Sequence, residues 1–164
     1  MFKKMQKDDE LKKEFFSLLI ETLDLRKNPF HPLIFIDGNP KIGKNVGIGL
    51  FSEIYAQDSE IVIGDNCDIA SFVSINVSDS HKKCMELKND TERKPVTLEH
   101  NVFVGSHSFI SGETHIGHHC VVGAGTILIN AGHIPPYSLI IGNPAVIKKE
   151  YFLEAGQPDT ETEK

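Results

Sequence analysis

An aliphatic side chain returns at every sixth position of residues 98–140, and the pattern has no gap. The positions are Leu98, Val104, Ile110, Ile116, Val122, Leu128, Ile134 and Ile140. A helix repeats its buried face about every 3.6 residues and a strand about every 2 residues, so neither period explains the pattern. A sustained period of six is typical of a parallel β-helix whose sides are built from hexapeptides. The pattern therefore predicts an all-β solenoid.

A second position of each hexapeptide is small or β-branched. Four residues after the first seven aliphatic positions stand Val102, Ser108, Thr114, Cys120, Thr126, Gly132 and Ser138. Small side chains suit a corner that turns the chain inward, so we expect three hexapeptides to form one triangular coil. Residue i would then lie over residue i+18, at roughly the 4.8 Å spacing of paired strands. The predicted ladders are Leu98–Ile116–Ile134, Val104–Val122–Ile140 and Ile110–Leu128, with narrower stacks of Val102–Cys120–Ser138 and Ser108–Thr126.

The flanking segments depart from this repeat. It begins less regularly at Ile36 and slips by three residues between Tyr55 and Val62. Residues 79–95 are polar and aperiodic, and we expect them to leave the solenoid as a loop. Apolar positions at helical spacing in residues 8–25 predict an amphipathic helix over the open end of the solenoid. The predicted organisation is a helical cap (1–30), the β-helix (31–149) and a C-terminal extension with a disordered tail (150–164).

Composition limits the classes of partner. The 164 residues are 40% hydrophobic, which is enough for one continuous core. The net charge is -6, from 23 acidic and 17 basic side chains, which argues against a nucleic-acid surface and a polybasic membrane patch. The first residues lack the apolar run of a signal peptide, and no stretch has the length of a membrane span. We therefore predict a cytoplasmic protein with no membrane span and no nucleic-acid partner.

The three cysteines do not form a metal-binding or disulfide pattern. Cys67 and Cys120 fall at small positions of the repeat, where we expect them to act as small buried apolar groups. Cys84 follows His81 by three residues, which raises the alternative of a cysteine nucleophile with a histidine base. Its charged neighbours cancel, so nothing there favours a thiolate. They are Lys82, Lys83 and Lys88 against Asp79, Glu86 and Asp90.

Five segments together resemble the hexapeptide-repeat acyltransferases, in particular the branch with galactoside, maltose and xenobiotic acetyltransferases. They are residues 94–97, 101–106, 122–126, 134–137 and 141–145. The resemblance covers about residues 36–149. It implies a left-handed parallel β-helix that assembles as a homotrimer, with acetyl-coenzyme A (acetyl-CoA) between neighbouring subunits. It also implies acetyl transfer to a hydroxyl, or less often an amine, of a sugar or sugar-derived acceptor.

The resemblance further implies a set of site residues. The catalytic histidine of the family lies in the ejected loop, and His81 occupies that place. A neutral imidazole there takes the proton of the acceptor hydroxyl as the oxygen attacks the thioester, without a covalent enzyme intermediate. The implied coenzyme contacts are Phe103, Gly105, Ser106, Gly123 and Ala124, with Lys148 and Lys149 near the 3′-phosphate. Corner formation explains the glycines equally well. The polar residues predicted to bind the acceptor are Ser52, Asp58, Asn76 and Asp79.

Several positions depart from the family pattern. Ile129-Asn130 replaces the Thr-Lys pair that is common after the Gly-Ala-Gly coil. Phe103 stands where the family usually has tryptophan, which keeps the aromatic face but loses the indole N–H donor. Val146 stands where the family has a basic residue after the Asn-Pro-Ala turn, so Lys148 and Lys149 come slightly later. The exact coenzyme contacts are therefore expected to differ from those of the family.

Stacked histidines suggest a different class of protein. At the predicted register His115 lies over His133 and His100 over His118, with His107 and His119 nearby. Some left-handed β-helix proteins are zinc-dependent carbonic anhydrases of the γ class, but they place two histidine ligands five residues apart. Gly112 and Cys120 occupy those positions after His107 and His115. We therefore expect no metal. A non-catalytic trimeric interaction module is a further alternative, but it would not need a polar loop that carries His81.

Overall fold

Three parallel β-sheets form the sides of a triangular solenoid in the computed structural model, which describes residues 8–22 and 29–153. The first sheet contains, in spatial order, β1 (Phe35–Gly38), β4 (Glu53–Ala56), β7 (Ser74–Asn76), β12 (Phe109–Ser111) and β15 (Ile127–Ile129). The second contains β2 (Lys41–Ile42), β5 (Ile61–Ile63), β10 (Val96–Leu98), β13 (Thr114–Ile116) and β16 (Gly132–Ile134). The third contains β3 (Gly47–Ile48), β6 (Asp68–Ile69), β11 (Phe103–Val104), β14 (Val121–Val122), β17 (Leu139–Ile141) and β18 (Val146–Lys148).

The register of the coils follows the prediction. Val96 pairs with Thr114, three hexapeptides further along the chain, as expected for one triangular coil. The coil between the paired residues Glu53 and Ser74 is longer, because it contains the predicted slip of three residues. Ser74 in turn pairs with Phe109 across a still longer segment, because the ejected loop lies between them. The chain therefore returns to the same three sides after each irregularity.

The core consists of the predicted aliphatic ladders. Each ladder runs through residues that are paired between successive strands and at most 2% exposed: Leu98–Ile116–Ile134, Val104–Val122–Ile140 and Ile110–Leu128. Residues of the earlier coils extend them with Ile63, Ile69, Ile54 and Ile75. Each coil buries its aliphatic side chains only against its neighbours, so the core is continuous along one axis.

The corners combine a left-handed backbone with a small buried residue. On one edge of the solenoid the residue before the small one has a positive φ in five successive coils, at Asn45, Asn66, Asn101, His119 and Tyr137. A second edge has the same feature at Phe51, Phe72 and His107. Side chains are rarely found at positive φ, and asparagine tolerates it best. Stacked asparagines at one edge are therefore a direct consequence of the turn that each coil makes there.

Hydroxyl groups at the corners connect neighbouring coils. The Ser108 hydroxyl donates to the Gly123 carbonyl oxygen at 3.0 Å and accepts the Thr126 backbone N–H at 3.4 Å. The Thr126 hydroxyl also donates to Gly123, at 2.6 Å. A residue at these corners must therefore be small, and a serine or threonine there also forms a hydrogen bond to the next coil.

Two of the cysteines are buried at corners, as predicted. Cys67 and Cys120 are each 1% exposed, and burial raises the pKa of both thiols above its ordinary value. The Cys67 thiol donates to the Glu99 carbonyl oxygen at 3.0 Å, and the Cys120 thiol to that of Pro135 at 3.3 Å. Both thiols are therefore protonated structural groups that link adjacent coils.

The predicted N-terminal helix is present as α1 (Asp9–Thr22). Asp8 caps it, because its carboxylate accepts the Leu11 backbone N–H at 3.1 Å. The Phe16 ring packs edge-on against His31 at 5.6 Å, but no residue of α1 is buried. Its role as a cover for the open end of the solenoid stays a prediction. The parts of the predicted cap that lie outside the described residues are 1–7 and 23–28.

Residues 79–95 leave the solenoid between its first and second sheets, as expected, but they form an ordered unit. Two short strands, β8 (Ser78–Asp79) and β9 (Glu92–Arg93), pair antiparallel and enclose the one-turn helix α2 (His81–Cys84). The Lys94 N–H donates to the Val77 carbonyl oxygen at 2.9 Å and closes the neck of the loop. The loop is thus held at both of its ends.

The last strand reverses direction. β18 pairs antiparallel with β17, so Val146 lies opposite Ile141 at the end of the third sheet. The predicted disordered tail, residues 154–164, lies outside the described residues. Within the described ranges, no helix has the length and apolar character that crossing a bilayer requires.

The ladders predict a strong contrast between two identical substitutions. Ile116→Ala removes a fully buried side chain between Leu98 and Ile134, and we expect it to lower the free energy of unfolding by about 2–5 kcal/mol. Ile129→Ala is the matched control, because Ile129 is 51% exposed, and it should cost less than about 1 kcal/mol. Urea unfolding at one fixed protein concentration measures both. Equal midpoints for the two variants would contradict the proposed role of the ladders.

Candidate active site

A surface cleft lies where the loop meets the corner between the first and second sheets. The loop and its neck contribute Val77, Asp79, His81, Lys82, Glu92 and Lys94. The solenoid contributes Ser111, Gly112, Ile129 and Asn130, at the ends of β12 and β15. The cleft therefore joins the ejected loop to two coils that follow it in the chain.

Asp79 and His81 form a hydrogen-bonded pair in this cleft. The carboxylate oxygen Oδ1 of Asp79 lies 2.5 Å from His81 Nδ1 and also accepts the His81 backbone N–H at 3.1 Å. The backbone hydrogen bond and then the imidazole hydrogen bond hold the pKa of Asp79 below its usual value. Because a carboxylate only accepts hydrogen bonds, the neutral imidazole carries its proton on Nδ1. The lone pair is then on Nε2, and the side chain is 56% exposed.

Ion pairs within the loop position the helix that carries His81. The Glu92 carboxylate pairs with Lys82 at 3.0 Å and with Lys88. The hydrogen bond from Lys88 and then that from Lys82 lower the pKa of Glu92 to about 2. Glu92 is on the second strand of the hairpin, so these contacts hold α2 against that strand.

Two basic residues attach the neck of the loop to the solenoid. Arg93 donates from Nε to the Gln57 carbonyl oxygen at 3.2 Å, and its guanidinium lies 3.6 Å from the Asp58 carboxylate. Lys94 donates from Nζ to the amide oxygen of Asn130 at 2.8 Å. The loop therefore has fixed contacts with one coil before it and one coil after it.

The structure separates the four residues that we predicted to bind the acceptor. Asp79 lines the cleft. Ser52 is 0% exposed, and its hydroxyl donates to the Ala70 carbonyl oxygen at a corner, so it does not reach the cleft. Asp58 pairs with Arg93, and Asn76 accepts the Ser78 backbone N–H at 2.7 Å.

Most of the residues predicted to bind the coenzyme stack together at another corner. Gly105 lies over Gly123 and Ala124 of the next coil so closely that a Cβ on Gly105 would be 2.5 Å from the Ala124 nitrogen. Phe103 is 41% exposed on β11, and the Ser106 carbonyl oxygen accepts the N–H of Gly125 at 2.9 Å. This corner is at the start of β12 and β15, whereas the cleft with His81 is at their far ends. Lys148 is on β18, where its ammonium lies 5.5 Å from the centre of the Tyr151 ring.

Several cleft residues were not singled out as site residues from the sequence. They are Val77, Lys82, Glu92, Lys94, Ser111, Gly112, Ile129 and Asn130. The predicted strand register could have identified two of them, because Ser111 pairs with Ile129 of the next coil and both residues end their strands beside the loop. No periodic signal connects Lys94 to Asn130, since that contact depends on the direction in which the loop returns.

The predicted histidine stacks are confirmed at two places. His115 pairs with His133, and the rings of His100 and His118 stack at 4.8 Å. The Glu99 carboxylate lies 2.8 Å from His115 Nε2. Burial would raise the pKa of Glu99, but the hydrogen bonds from His115 and from the His118 backbone outweigh it and the pKa is lowered. These groups lie outside the cleft that contains His81.

Comparison with known proteins assigns the family. The family model described as "hexapeptide repeat of succinyl-transferase" matches residues 95–129. The galactoside O-acetyltransferase of Escherichia coli (strain K12) is 32% identical over 149 residues, which are 89% of this chain and 70% of that protein. The chain belongs to the hexapeptide-repeat acyltransferases.

Solved structures of this acyltransferase family agree with the fold. A galactoside acetyltransferase in complex with coenzyme A has 26% sequence identity and a TM-score of 0.64, over 85% of this chain and 70% of that one. A maltose O-acetyltransferase from Clostridium difficile 630 has 24% identity and a TM-score of 0.60, over 87% and 88% of the two chains. The predicted left-handed parallel β-helix is thereby confirmed, and so is the branch of the family.

The low pKa of Glu92 predicts how the loop responds to acid. A lowered folded pKa stabilises the folded loop above the ordinary pKa of 4.5, and this stabilisation is lost as the pH falls through about 2. We expect hydrogen-exchange protection of the Met85 and Leu87 amides, corrected for intrinsic exchange, to fall over that interval. In Glu92→Gln, protection should already be low at neutral pH and should lose this pH dependence.

Glu86→Gln provides the control for this measurement, because Glu86 is an exposed carboxylate on the same loop. The comparison of Glu92→Gln with wild type also distinguishes the contribution of Glu92 to the pH dependence from that of Asp79, whose pKa is lowered as well. The assignment would be overturned by an unchanged pH dependence in Glu92→Gln.

Proposed function

We propose that this acyltransferase moves an acetyl group from acetyl-CoA to a hydroxyl of a sugar or sugar-derived acceptor, with His81 as the general base. The observation that carries the proposal is the Asp79–His81 pair in the cleft, which leaves Nε2 of the imidazole as the proton acceptor. The name of the Escherichia coli relative, a galactoside O-acetyltransferase, favours a sugar hydroxyl over an amine. A cytoplasmic location stays a prediction.

In direct acetyl transfer, the Asp79–His81 pair takes part in two proton transfers. His81 Nε2 accepts the proton of the acceptor hydroxyl while its oxygen attacks the thioester carbonyl. Asp79 stays ionised, because its pKa is lowered, and stabilises the imidazolium that forms. When the tetrahedral intermediate collapses, the carbon–sulfur bond breaks and the imidazolium returns the proton to the coenzyme thiolate. Asp79 is thus proposed as a positioning residue rather than as an acceptor contact.

The polar lining of the cleft fits an acceptor with several hydroxyl groups. Lys82, Lys94 and Asn130 supply hydrogen-bonding groups, while Ile129 supplies an apolar surface. These groups are proposed to bind the acceptor, and most of the coenzyme is proposed to bind elsewhere.

We propose the stacked corner around Gly105 and Ala124 as the coenzyme site, with Phe103 and Ser106 beside it. Strands β12 and β15 connect this corner to the cleft, so a long pantetheine arm along their outer edges would bring the thioester toward His81. The coenzyme A complex of a protein with 26% identity supports this choice of co-substrate. A homotrimer, in which a neighbouring copy forms the other wall of the coenzyme groove, is part of the proposal.

The general base is tested by thiol release from acetyl-CoA with a panel of saccharides. His81→Ala should lower the rate by about 10²–10⁴-fold, because the acceptor hydroxyl then loses its proton acceptor. Asp79→Asn should lower it by at least about tenfold, because the imidazolium loses its counter-charge. Lys83→Ala, an exposed change on the same short helix, is the control and should have no effect.

Two results of this assay would remove parts of the proposal. An unchanged rate in His81→Ala would exclude His81 as the base. Mass spectrometry of the product, before and after mild alkali, separates esters from amides, because esters hydrolyse and amides persist. An alkali-resistant product would replace O-transfer with N-transfer.

The 3′-phosphate contact is tested by comparing two ligands. We expect combined Lys148→Ala and Lys149→Ala substitutions to weaken coenzyme A binding by roughly three- to tenfold, since each exposed ammonium contributes a modest electrostatic term. Binding of dephospho-coenzyme A, which lacks that phosphate, should not change. Titration calorimetry measures both affinities, with Lys44→Ala as the control for an exposed lysine on an earlier coil. Equal losses for the two ligands would contradict a contact with the 3′-phosphate.

A further inference from the structure

Three imidazoles meet on the edge of the solenoid between its second and third sheets. His100 precedes one corner of this edge, and His118 and His119 form the corresponding corner of the next coil. One nitrogen of each ring lies within 4.8 Å of a nitrogen of both others. We call these three residues the imidazole cluster. From the spacing of histidines within one coil we expected no metal, but this cluster combines histidines of two coils. We propose that the imidazole cluster binds a divalent transition-metal ion of the zinc class and thereby links two successive coils.

The closest contact in the cluster has nearly the geometry of a metal site. Nδ1 of His118 and Nδ1 of His119 are 2.9 Å apart. Two nitrogens bound to one tetrahedral zinc ion at about 2.0 Å are roughly 3.3 Å apart, so this pair needs to separate by only a few tenths of an ångström. The His100 ring, which stacks on His118, must turn to direct its nitrogen at the same ion. Without metal, one of the two nitrogens carries a proton and donates it in a hydrogen bond to the lone pair of the other. A metal ion accepts both lone pairs at once.

The rings around this contact are held in place by neighbouring groups. The Tyr137 ring stacks on His119 at 5.0 Å and meets His118 edge-on at 5.3 Å. The Glu99 carboxylate accepts the His118 backbone N–H at 2.9 Å and places a negative charge beside the cluster. These contacts restrict the orientation of the two rings and of the corner that carries them.

Asn101 supplies the outer partner that a metal-bound His119 requires. Its side-chain nitrogen lies 3.0 Å from His119 Nε2 and donates to it in the metal-free state. When Nδ1 binds a metal, the proton is on Nε2, and half a turn of the Asn101 amide presents its oxygen as the acceptor. His100 is exposed, so the third ligand lies on the side from which an ion enters.

The chemistry of the donors selects the ion. Three neutral imidazoles suit zinc, copper and nickel rather than magnesium or calcium, which prefer oxygen ligands. Three protein ligands leave a fourth position for water. The neighbouring group of Glu99, His115 and His133 is less suitable, because both oxygens of Glu99 already accept hydrogen bonds, from His115 and from the His118 backbone.

Zn²⁺ titration of the metal-stripped, tag-free protein tests the site. We expect one Zn²⁺ per chain by calorimetry, an absorption spectrum of a four-coordinate ion when Co²⁺ replaces it, and a rise in Tm with added Zn²⁺. His119→Asn should weaken Zn²⁺ binding at least about tenfold. The variant should fold, because asparagine already occupies this positive-φ corner position at Asn45, Asn66 and Asn101.

Two control variants make the result specific. His107→Asn introduces the same change at a positive-φ corner on another edge and should leave Zn²⁺ binding unchanged. His133→Ala removes a ligand of the neighbouring group and should also have no effect. The proposal is overturned if the wild type binds no Zn²⁺, if His119→Asn binds as tightly as the wild type, or if His133→Ala abolishes binding.

Discussion

Stacking of aliphatic side chains inside the solenoid is the interaction on which the rest of the structure depends. Each coil turns three times and places its isoleucine, leucine and valine residues directly over those of the coil before it. A coil that loses this register exposes its own ladder and that of its neighbour. The interior therefore fixes the position of every outward-facing side chain, including those of the candidate sites.

The candidate sites lie at the corners because register brings side chains from distant parts of the chain together there. The cleft with His81 is formed where two strands of the first sheet end beside the loop, and the stacked glycines lie at the start of the same strands. The imidazole cluster uses a third edge in the same way. A fold whose core is nearly invariant along its axis can thus carry separate sites on its different edges.

The loop shows how a polar segment becomes ordered on such a scaffold. It has no aliphatic ladder, and charged side chains hold it instead: Glu92 binds two lysines, Arg93 reaches the Asp58 region and Lys94 reaches Asn130. These contacts position the short helix that begins at His81. Asp79 then orients the imidazole, so the loop supplies both the proposed base and the group that fixes its tautomer.

The sequence by itself determined the solenoid, the three ladders, the small corner residues and the ejection of the loop, because each depends on contacts that repeat at a constant spacing. It also predicted His81 as the general base, through its place in a family motif. Only the tertiary structure decided that Ser52 is a buried corner group and that Asp79 binds His81. It alone brought Lys94 to Asn130 and three imidazole nitrogens within 4.8 Å. The physical reason is that a constant spacing in the sequence predicts which residues stack. The direction of a side chain at a corner or in a loop depends instead on local backbone angles and on contacts with residues at no fixed spacing.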